Sequence, residues 1–181
     1  ILSDDIYEKI LYDNVEFHTI AEVEPALKDR TITMNGVSKA YCMTGWRLGY
    51  CGGPKEIIAG MNKIQSQSTT STSSITMAAA VEALNGNQDF IKVHNQQFVK
   101  RRDMVVEKLN NISGIDCNTP KGAFYVYPSC AGCIGKKTPD GTTITSDENF
   151  MNYLLDSEGI AGVHGEAFGL SPYFRLSYAT D

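Results

Sequence analysis

The chain has 181 residues, of which 42% are hydrophobic and 20% are charged, and its formal net charge is -5. This length and composition allow a buried core, in one domain or two small ones. The acidic balance argues against nucleic acid as a partner, because phosphate backbones are bound by basic surfaces. No apolar run approaches the roughly 20 residues that a membrane-spanning helix needs, and no signal peptide opens the chain, so a cytoplasmic protein without a membrane partner is expected.

Three short strands are predicted in the first fifty residues. Ile1 and Leu2 are expected to finish a buried strand, residues 31–35 form a second strand and residues 46–51 a third. In open parallel sheets, ligands bind at the carboxyl ends of the strands. The polar residues next to these strands are therefore expected to converge on one edge of a sheet.

Helices dominate the middle of the chain. Pro54 suits the start of a helix that continues to Ile64. Residues 66–74 are all Ser, Thr or Gln, a composition that favours a solvated loop. An Ala-rich helix over residues 77–84 follows, and apolar residues three or four apart predict a long helix over residues 89–111.

From Gly114 onward, the pattern changes to short strands around one helix. That helix is predicted over residues 147–157, with Ser146 or Asp147 as its N-cap. Residues 123–127 and 174–178 are expected to pair as strands of a small sheet.

The five cysteines are irregularly spaced, which predicts reduced, mostly packed thiols and no disulfide framework. Cys130 and Cys133 are the one pair that suggests an alternative, either redox chemistry or metal binding. A structural zinc site needs four ligands, and His164 stands alone as the nearest histidine. No metal site is therefore expected.

Lys39 lies in a loop of mostly small residues, and Arg47 follows eight residues later. A lysine amine in a partly desolvated pocket can become a neutral nucleophile toward an aldehyde. An arginine fork can hold a phosphate through paired, charge-assisted hydrogen bonds. The two residues together suit an aldehyde cofactor with a phosphate group.

The run from Gly36 to Gly49 resembles the lysine signature of the class I, fold type I, pyridoxal-phosphate-dependent aminotransferases. Residues 3–10 look like the family's upstream Asp-x-x-Tyr element, in the expected order. Residues 121–128 are similar to its Gly-Ala-Phe-Tyr strand, and residues 173–179 to its arginine-centred strand. The resemblance covers the whole chain and points most specifically to bacterial aspartate aminotransferases, including those that also accept prephenate.

The resemblance implies an α/β fold, the C-terminal part of a fold type I transferase. Residues 1–87 would belong to the large, pyridoxal-phosphate-binding domain with its mostly parallel sheet. Residues 88–181 would form the long connecting helix and a truncated small α+β domain. Because family members are much longer and carry further cofactor contacts upstream, the chain is expected to be an incomplete fragment that is inactive by itself.

The resemblance also implies roles around the cofactor ring. Lys39 would form a Schiff base with pyridoxal 5'-phosphate and then transfer the proton of the substrate α-carbon. Asp4 would pair with the pyridine nitrogen, with Asp5 as a neighbouring competitor that the family spacing disfavours. Tyr7 would donate to the phenolic oxygen, although a core tyrosine is the commoner fate of such a residue.

Phosphate and substrate contacts follow from the same resemblance. Arg47 would bind the phosphate, and Ser38 is a weaker candidate for the same group. Arg175 would bind the substrate α-carboxylate, with a structural salt bridge as the alternative. Gly36 and Cys42 depart from the usual family pattern, and these departures affect only the local phosphate contacts.

The implied activity is reversible amino transfer between an L-amino acid, aspartate or glutamate, and a 2-oxo acid such as 2-oxoglutarate, oxaloacetate or prephenate. A homodimer is implied for the full-length protein. An aromatic or alanine aminotransferase is an alternative within the family. A second alternative is a non-catalytic, pyridoxal-phosphate-binding domain like those of some bacterial transcription regulators.

Overall fold

The computed structural model describes residues 1–180, and the chain divides into two compact units, Ile1–Asn95 and Gln96–Asp181. The first unit contains three complete helices and three strands, in the order β1 (Leu2–Asp4), α1 (Ile20–Val23), β2 (Ile32–Gly36), β3 (Gly49–Gly52), α2 (Lys55–Gln67) and α3 (Ser74–Asn85). Helix α4 (Asp89–Asn110) starts in the first unit and ends in the second. The second unit adds β4 (Tyr125–Val126), α5 (Asp147–Glu158), β5 (Val163–His164) and β6 (Phe174–Ser177).

The sheet of the first unit has the strand order β1-β2-β3. Strands β1 and β2 are parallel, with Asp4 opposite Met34. Strand β3 is antiparallel to β2, with Gly36 opposite Gly49. The carboxyl ends of β1 and β2 and the amino end of β3 therefore lie at one edge, as the sequence predicted.

Two details of this sheet differ from the sequence-based expectation. The third strand begins at Gly49, because residues Thr44–Trp46 form a 3₁₀ turn and Arg47 has a left-handed φ of 52°, neither of which is compatible with an extended strand. The first strand is not buried, since Ile1 and Leu2 are more than half exposed. Strand β1 is an edge strand in this sheet, and β2 is its one partner among residues 1–180.

Helices α2 and α3 lie on either side of the polar stretch. Pro54 immediately precedes α2, where its fixed φ suits a helix start and its missing N–H costs no hydrogen bond. Both helices extend into the polar stretch, so the loop between them is limited to residues 68–73. Along residues 1–180, no helix combines the length and apolar character required to cross a bilayer.

The second unit is built on a small antiparallel sheet with the order β4-β6-β5. The predicted pairing of the strands that contain Val126 and Leu176 is confirmed: these residues of β4 and β6 lie opposite each other. The two-residue strand β5, which pairs with β6, was too short to be recognised in the sequence. Helix α5 is capped by Ser146, whose Oγ accepts a hydrogen bond from the backbone N–H of Asn149 at 3.1 Å. Cys130 and Cys133 pack with Phe150 and Phe174 in a hydrophobic core of the second unit.

Candidate functional site

The two aspartates at the carboxyl end of β1, Asp4 and Asp5, have different environments. Asp5 is buried; its backbone N–H donates to the carbonyl of Met34 at 2.9 Å, and its Oδ1 accepts from the hydroxyl of Ser3 at 2.7 Å. The Asp4 side chain is exposed, and its Oδ1 accepts a hydrogen bond from the backbone N–H of Ile6 at 3.3 Å. Asp5 thus stabilises the local fold through these hydrogen bonds, and Asp4 is the carboxylate that a ligand could reach.

Lys39 lies on the loop that follows β2. Val37, Ala40 and Tyr41 are buried and anchor this loop, and the carbonyl of Lys39 accepts a hydrogen bond from the N–H of Cys42 at 3.2 Å. Lys39 itself is half-buried. The anchored loop therefore presents its amine from a position that is neither fully solvated nor sealed.

Tyr7 is the aromatic neighbour of this amine. Lys39 Nζ lies 6.0 Å from the centroid of the Tyr7 ring, and Tyr7 is also half-buried. A turn closed by a hydrogen bond of 2.9 Å, from the N–H of Ile10 to the carbonyl of Tyr7, fixes the backbone there. The structure thus brings together the lysine and the tyrosine that the sequence analysis selected separately.

Arg47 precedes β3 at the same edge of the sheet. Its Nη1 donates to the carbonyl of Thr44 at 3.0 Å, and the residue is exposed. It lines a cavity of about 570 Å³. The other lining residues are mostly polar: Trp46, Gly49, Gln65, Thr69, Ser71, Thr72 and Ser73. A guanidinium in a cavity rich in hydroxyl groups is suited to an oxyanion such as phosphate.

The donor set at this edge fits pyridoxal phosphate. It offers an amine for the aldehyde, a carboxylate for a ring nitrogen, a phenol for a ring oxygen and a guanidinium for the phosphate, carried by Lys39, Asp4, Tyr7 and Arg47. Ser38 lies next to Lys39 and is half-buried. Across residues 1–180, no cluster of three or more His, Cys, Asp and Glu side chains could hold a metal ion.

Arg175 belongs to the second unit and lies on β6, opposite Val163 of β5. Its guanidinium carbon is 4.6 Å from the ring centroid of Tyr125 and 4.6 Å from that of Phe168. Within the part of the second unit that the structure describes, no carboxylate forms an ion pair with Arg175. Aromatic contacts thus take the place of the structural salt bridge that the sequence left as an alternative.

Sequence reasoning missed these aromatic neighbours. Tyr125 is part of the Gly-Ala-Phe-Tyr motif, but its spacing from Arg175 along the chain does not indicate contact. Phe168 is the last residue of a short 3₁₀ turn, Gly165–Phe168, and Gly169 follows it with a φ of 74°. The two glycines around an aromatic residue signal a tight turn, but not the residue that the ring contacts.

Two buried cysteines of the second unit, Cys117 and Cys130, have raised pKa values. Cys130 is fully buried; desolvation first, and then the charge of Asp147 and the nearby Cys133, raise its pKa to about 11. Desolvation, followed by the Asp116 carboxylate, also raises the pKa of Cys117. A thiol with a raised pKa is a poor nucleophile, which favours a packing role for Cys130 over redox chemistry. Cys133 is buried in the same hydrophobic core.

The mixed α/β fold is that of a part of a fold type I transferase, and Lys39 follows β2 at one end of its first sheet. The family model "Aminotransferase class I and II" matches residues 1–181, and the chain belongs to that family.

Relatives and solved structures agree with this assignment. The chain is 57% identical over 180 residues to an aspartate aminotransferase of Rhizobium meliloti (strain 1021), and 58% identical to a probable aspartate/prephenate aminotransferase of Rhizobium leguminosarum bv. phaseoli. These matches cover 99% of the chain but 44% and 45% of the two relatives, so the chain spans about half the length of the curated relatives it matches.

Two solved structures show how closely the backbone follows the family. The crystal structure of the Rhizobium meliloti aspartate aminotransferase superposes with a TM-score of 0.96 at 57% identity, covering 99% of this chain and 45% of that one. The aromatic aminotransferase of Pyrococcus horikoshii gives a TM-score of 0.85 at 34% identity, covering 99% and 46%. The same backbone thus occurs in relatives whose names indicate different substrates.

Proposed function

We propose that the protein carrying this chain is a pyridoxal-phosphate-dependent aminotransferase. It would transfer an amino group reversibly between L-aspartate or L-glutamate and a 2-oxo acid, 2-oxoglutarate or oxaloacetate, with prephenate as a further acceptor. The observation that supports this most is the position of Lys39, 6.0 Å from the Tyr7 ring at the sheet edge shared with Asp4 and Arg47. The names of the relatives at more than 50% identity support the choice of substrates.

Pyridoxal phosphate, when bound, would supply an electrophilic aldehyde and a ring that accepts electron density. The Lys39 amine would hold the aldehyde carbon and would later accept and return the α-proton of the substrate as a general base. The Asp4 carboxylate would keep the ring nitrogen protonated. The Tyr7 hydroxyl would donate to the ring oxygen and stabilise its negative charge.

Binding at the two ends of the reactants would depend on arginines. Arg47 would hold the phosphate, with the Ser38 hydroxyl as an additional donor. Arg175 would bind the α-carboxylate of the amino acid through its N–H edge. Holding reactants in a fixed orientation is a positioning effect on which much of catalysis rests.

We further propose the organisation that the family implies. Residues 1–87 would be the C-terminal part of the cofactor-binding domain, and residues 88–181 the connecting helix and the small domain. The complete protein would be a cytoplasmic homodimer that acts on small molecules. The 181-residue chain by itself would be inactive, since the relatives are about twice its length and more than half of each lies outside the matched region.

Cofactor labelling tests the proposal. Pyridoxal phosphate is added to the protein expressed from the full open reading frame that encodes this chain, and the product is reduced with borohydride and digested. We expect an imine absorbance band that an amino-acid donor bleaches, and a label on the peptide with Lys39. Lys39→Ala should abolish the band, whereas Lys55→Ala, an exposed lysine at the start of α2, should retain it.

The outcomes separate the alternatives. A donor series of aspartate, tyrosine and alanine ranks the aspartate, aromatic and alanine activities. A labelled Lys39 with no bleaching by any donor would support the regulatory domain instead. The absence of any band from the full protein would refute the cofactor assignment.

A further inference from the structure

Two aromatic rings lie against the guanidinium of Arg175. The rings of Tyr125, on β4, and Phe168, the last residue of the 3₁₀ turn, have centroids 4.6 Å from its central carbon. This is well inside the distance of about 6 Å at which cations interact with ring faces. Phenylalanine offers no hydrogen-bond acceptor, so this contact leaves the N–H donors of the arginine available. The guanidinium can then offer its N–H edge to a carboxylate.

We propose that Tyr125 and Phe168 form an aromatic clamp that fixes the orientation of the Arg175 guanidinium, and that Asp147 is a positioning residue that holds the Phe168 side of this clamp. The proposal rests on the proposed function, because the orientation matters only if Arg175 binds the substrate carboxylate. It adds to that function three residues to which the sequence assigned no part in substrate binding.

Asp147 is linked to the Phe168 turn by two hydrogen bonds. Its side chain is almost completely buried. Its Oδ2 accepts from the backbone N–H of Glu166 at 2.9 Å, and its Oδ1 accepts from the hydroxyl of Ser171 at 2.8 Å. The two donors lie on either side of Phe168 in sequence. The carboxylate therefore closes the loop that carries the ring.

Other contacts of the same loop reduce its freedom further. The backbone N–H of Gly165 donates to the carbonyl of Tyr173 at 2.7 Å, and the Tyr127 hydroxyl donates to the carbonyl of Gly165 at 3.3 Å. A Cβ at Gly165 would overlap the carbonyl oxygen of Leu170. The Tyr127 ring also makes an edge contact with Phe168, at 6.1 Å between centroids. A loop packed this closely can define the position of one ring.

A buried carboxylate is costly unless donors satisfy it. The oxygens of Asp147 are satisfied by the loop, and Asp147 forms no ion pair with Arg175 within the described part of the second unit. The charge of Asp147 is thus used to order the loop and does not neutralise the arginine. Arg175 keeps its positive charge for an external anion.

Steady-state kinetics of the protein expressed from the full open reading frame test the clamp. We expect Phe168→Leu to raise KM for the amino-acid donor about tenfold with kcat changed less than about threefold, because an arginine that is no longer oriented weakens binding before and during reaction alike. Leu170→Ala is the matched control, since Leu170 and Phe168 lie in the same segment and are each 49% exposed. The control should keep the wild-type KM.

Asp147 is tested with two variants. Asp147→Ala removes both acceptors and should raise KM as Phe168→Leu does. Asp147→Asn keeps one carbonyl acceptor and should give an intermediate KM. If Asp147→Ala does not fold, Asp147→Asn still carries the test: an increase in KM with kcat retained supports the positioning role, and a wild-type KM refutes it.

A spectroscopic signal separates orientation from general damage. Protons above an aromatic face are shifted upfield in NMR spectra. The side-chain methylene signals of Arg175 should therefore be shifted upfield in the wild type. They are observed after ¹³C-arginine labelling and assigned with Arg175→Lys. Phe168→Leu should move them toward ordinary positions, and Leu170→Ala should not. Unchanged signals in Phe168→Leu would overturn the clamp.

Failure of the clamp and failure of the proposed function give different results. If Arg175→Lys raises KM and Phe168→Leu does not, Arg175 binds the carboxylate without help from the ring, and the clamp is wrong. If Arg175→Lys itself leaves KM unchanged, the substrate role of Arg175 is wrong, and the clamp proposal falls with it.

Discussion

Two residues near the candidate lysine adopt backbone conformations that side chains disfavour. Cys42 has a φ of 54° and Arg47 a φ of 52°, both in the left-handed region. A non-glycine residue there costs on the order of 1 kcal/mol. For Arg47, this conformation ends the 3₁₀ turn and leads into β3 beside the cavity that it lines. Cys42 lacks a comparable contribution to the site.

Cys42→Gly should therefore stabilise the chain. Glycine adopts a positive φ without strain, and this gain exceeds the entropy cost of a more flexible unfolded chain, so we expect an increase of up to about 1 kcal/mol in the free energy of unfolding. Urea denaturation measures it. Cys51→Gly is the matched control, because Cys51 is in strand β3, where glycine should destabilise. A loss of stability in Cys42→Gly would contradict the strain.

The five thiols should differ in reactivity. Cys42 is exposed and Cys51 is half-buried, whereas Cys117, Cys130 and Cys133 are buried. Thiolate is the reactive form, and burial raises the pKa of Cys130 to about 11, so very little thiolate exists at pH 8. With an aromatic disulfide reagent, we expect rapid reaction of Cys42, slower reaction of Cys51 and reaction of the other three only after unfolding.

Peptide mapping identifies the labelled cysteines, and Cys42→Ser, which should remove the fast phase, is the control. Rapid labelling of Cys130 or Cys133 in the folded chain would revive the redox interpretation of this pair. Protection of both would agree with their place in the hydrophobic core with Phe150 and Phe174.

At the scale of the elements, Asp147 couples the start of α5 to the loop between β5 and β6. Burial alone would raise the pKa of its carboxyl group, but the hydrogen bonds from Ser171 and from the backbone of Glu166 outweigh burial and hold the pKa below its usual value. Asp147 is also the first residue of α5, where a negative charge interacts favourably with the helix dipole. The ionised form is thus the one that stabilises the loop.

The pH dependence of stability follows from the sign of this shift. In the unfolded chain, an aspartate titrates near ~3.9, above the pKa of Asp147 in the folded chain. The unfolded state therefore binds more protons in this window, and the contribution of Asp147 is fully present above about pH 4 and is lost as the pH falls through the lower, folded value. We expect the stability difference between the wild type and Asp147→Asn to shrink as the pH decreases below 4.

Urea unfolding between pH 7 and pH 3 measures this difference, and Glu148→Gln, an exposed neighbour, is the control. A gap between the wild type and Asp147→Asn that stays constant, or widens, toward pH 3 would show that the folded pKa is not lowered.

Elements with a strong local pattern could be predicted from the sequence, and those defined by tertiary pairing could not. The long helix was predicted within one residue of α4, because its apolar residues recur at helical spacing over 22 residues. The Ser146 cap was one of the two predicted for α5. Strand β5 has two residues and exists through its pairing with β6, so no periodicity could reveal it. The start of β3 was misplaced because φ at Arg47 is not encoded by residue type.

The candidate site shows the same division. The candidate cofactor residues of the first unit could be selected from the sequence because each belongs to a compact motif: Asp4 with Tyr7, and Lys39 with Arg47. Strand order then brings the motifs to one edge of the sheet. The contacts of Arg175 depend on residues seven and fifty positions away in sequence, which meet through the packing of β4, β6 and a turn. Such proximity is a property of the folded chain and leaves no signal in spacing.

At the scale of the whole molecule, helix α2 has an apolar side that the described residues leave uncovered. None of its residues is buried. Ile57, Met61 and Ile64 are 47%, 40% and 72% exposed and recur at positions i, i+4 and i+7, which places them on one face of the helix. An apolar stripe of this kind is covered in most folded proteins, because its exposure to water favours association.

We therefore expect the isolated 181-residue chain to self-associate at micromolar concentration. Replacing the two isoleucines together, Ile57→Gln with Ile64→Gln, should shift the chain toward monomer, because it removes apolar surface without changing net charge. The matched control is Val23→Gln with Ile112→Gln. These two residues lie outside α2, and their combined exposure equals that of the two isoleucines of α2. Sedimentation velocity over a concentration series measures the distribution. If both double variants reduce association equally, total apolar exposure and not the α2 stripe is responsible. If neither variant reduces it, association depends on another surface. The open edge of β1 is then the next surface to test, because an unpaired strand edge can pair with a second chain.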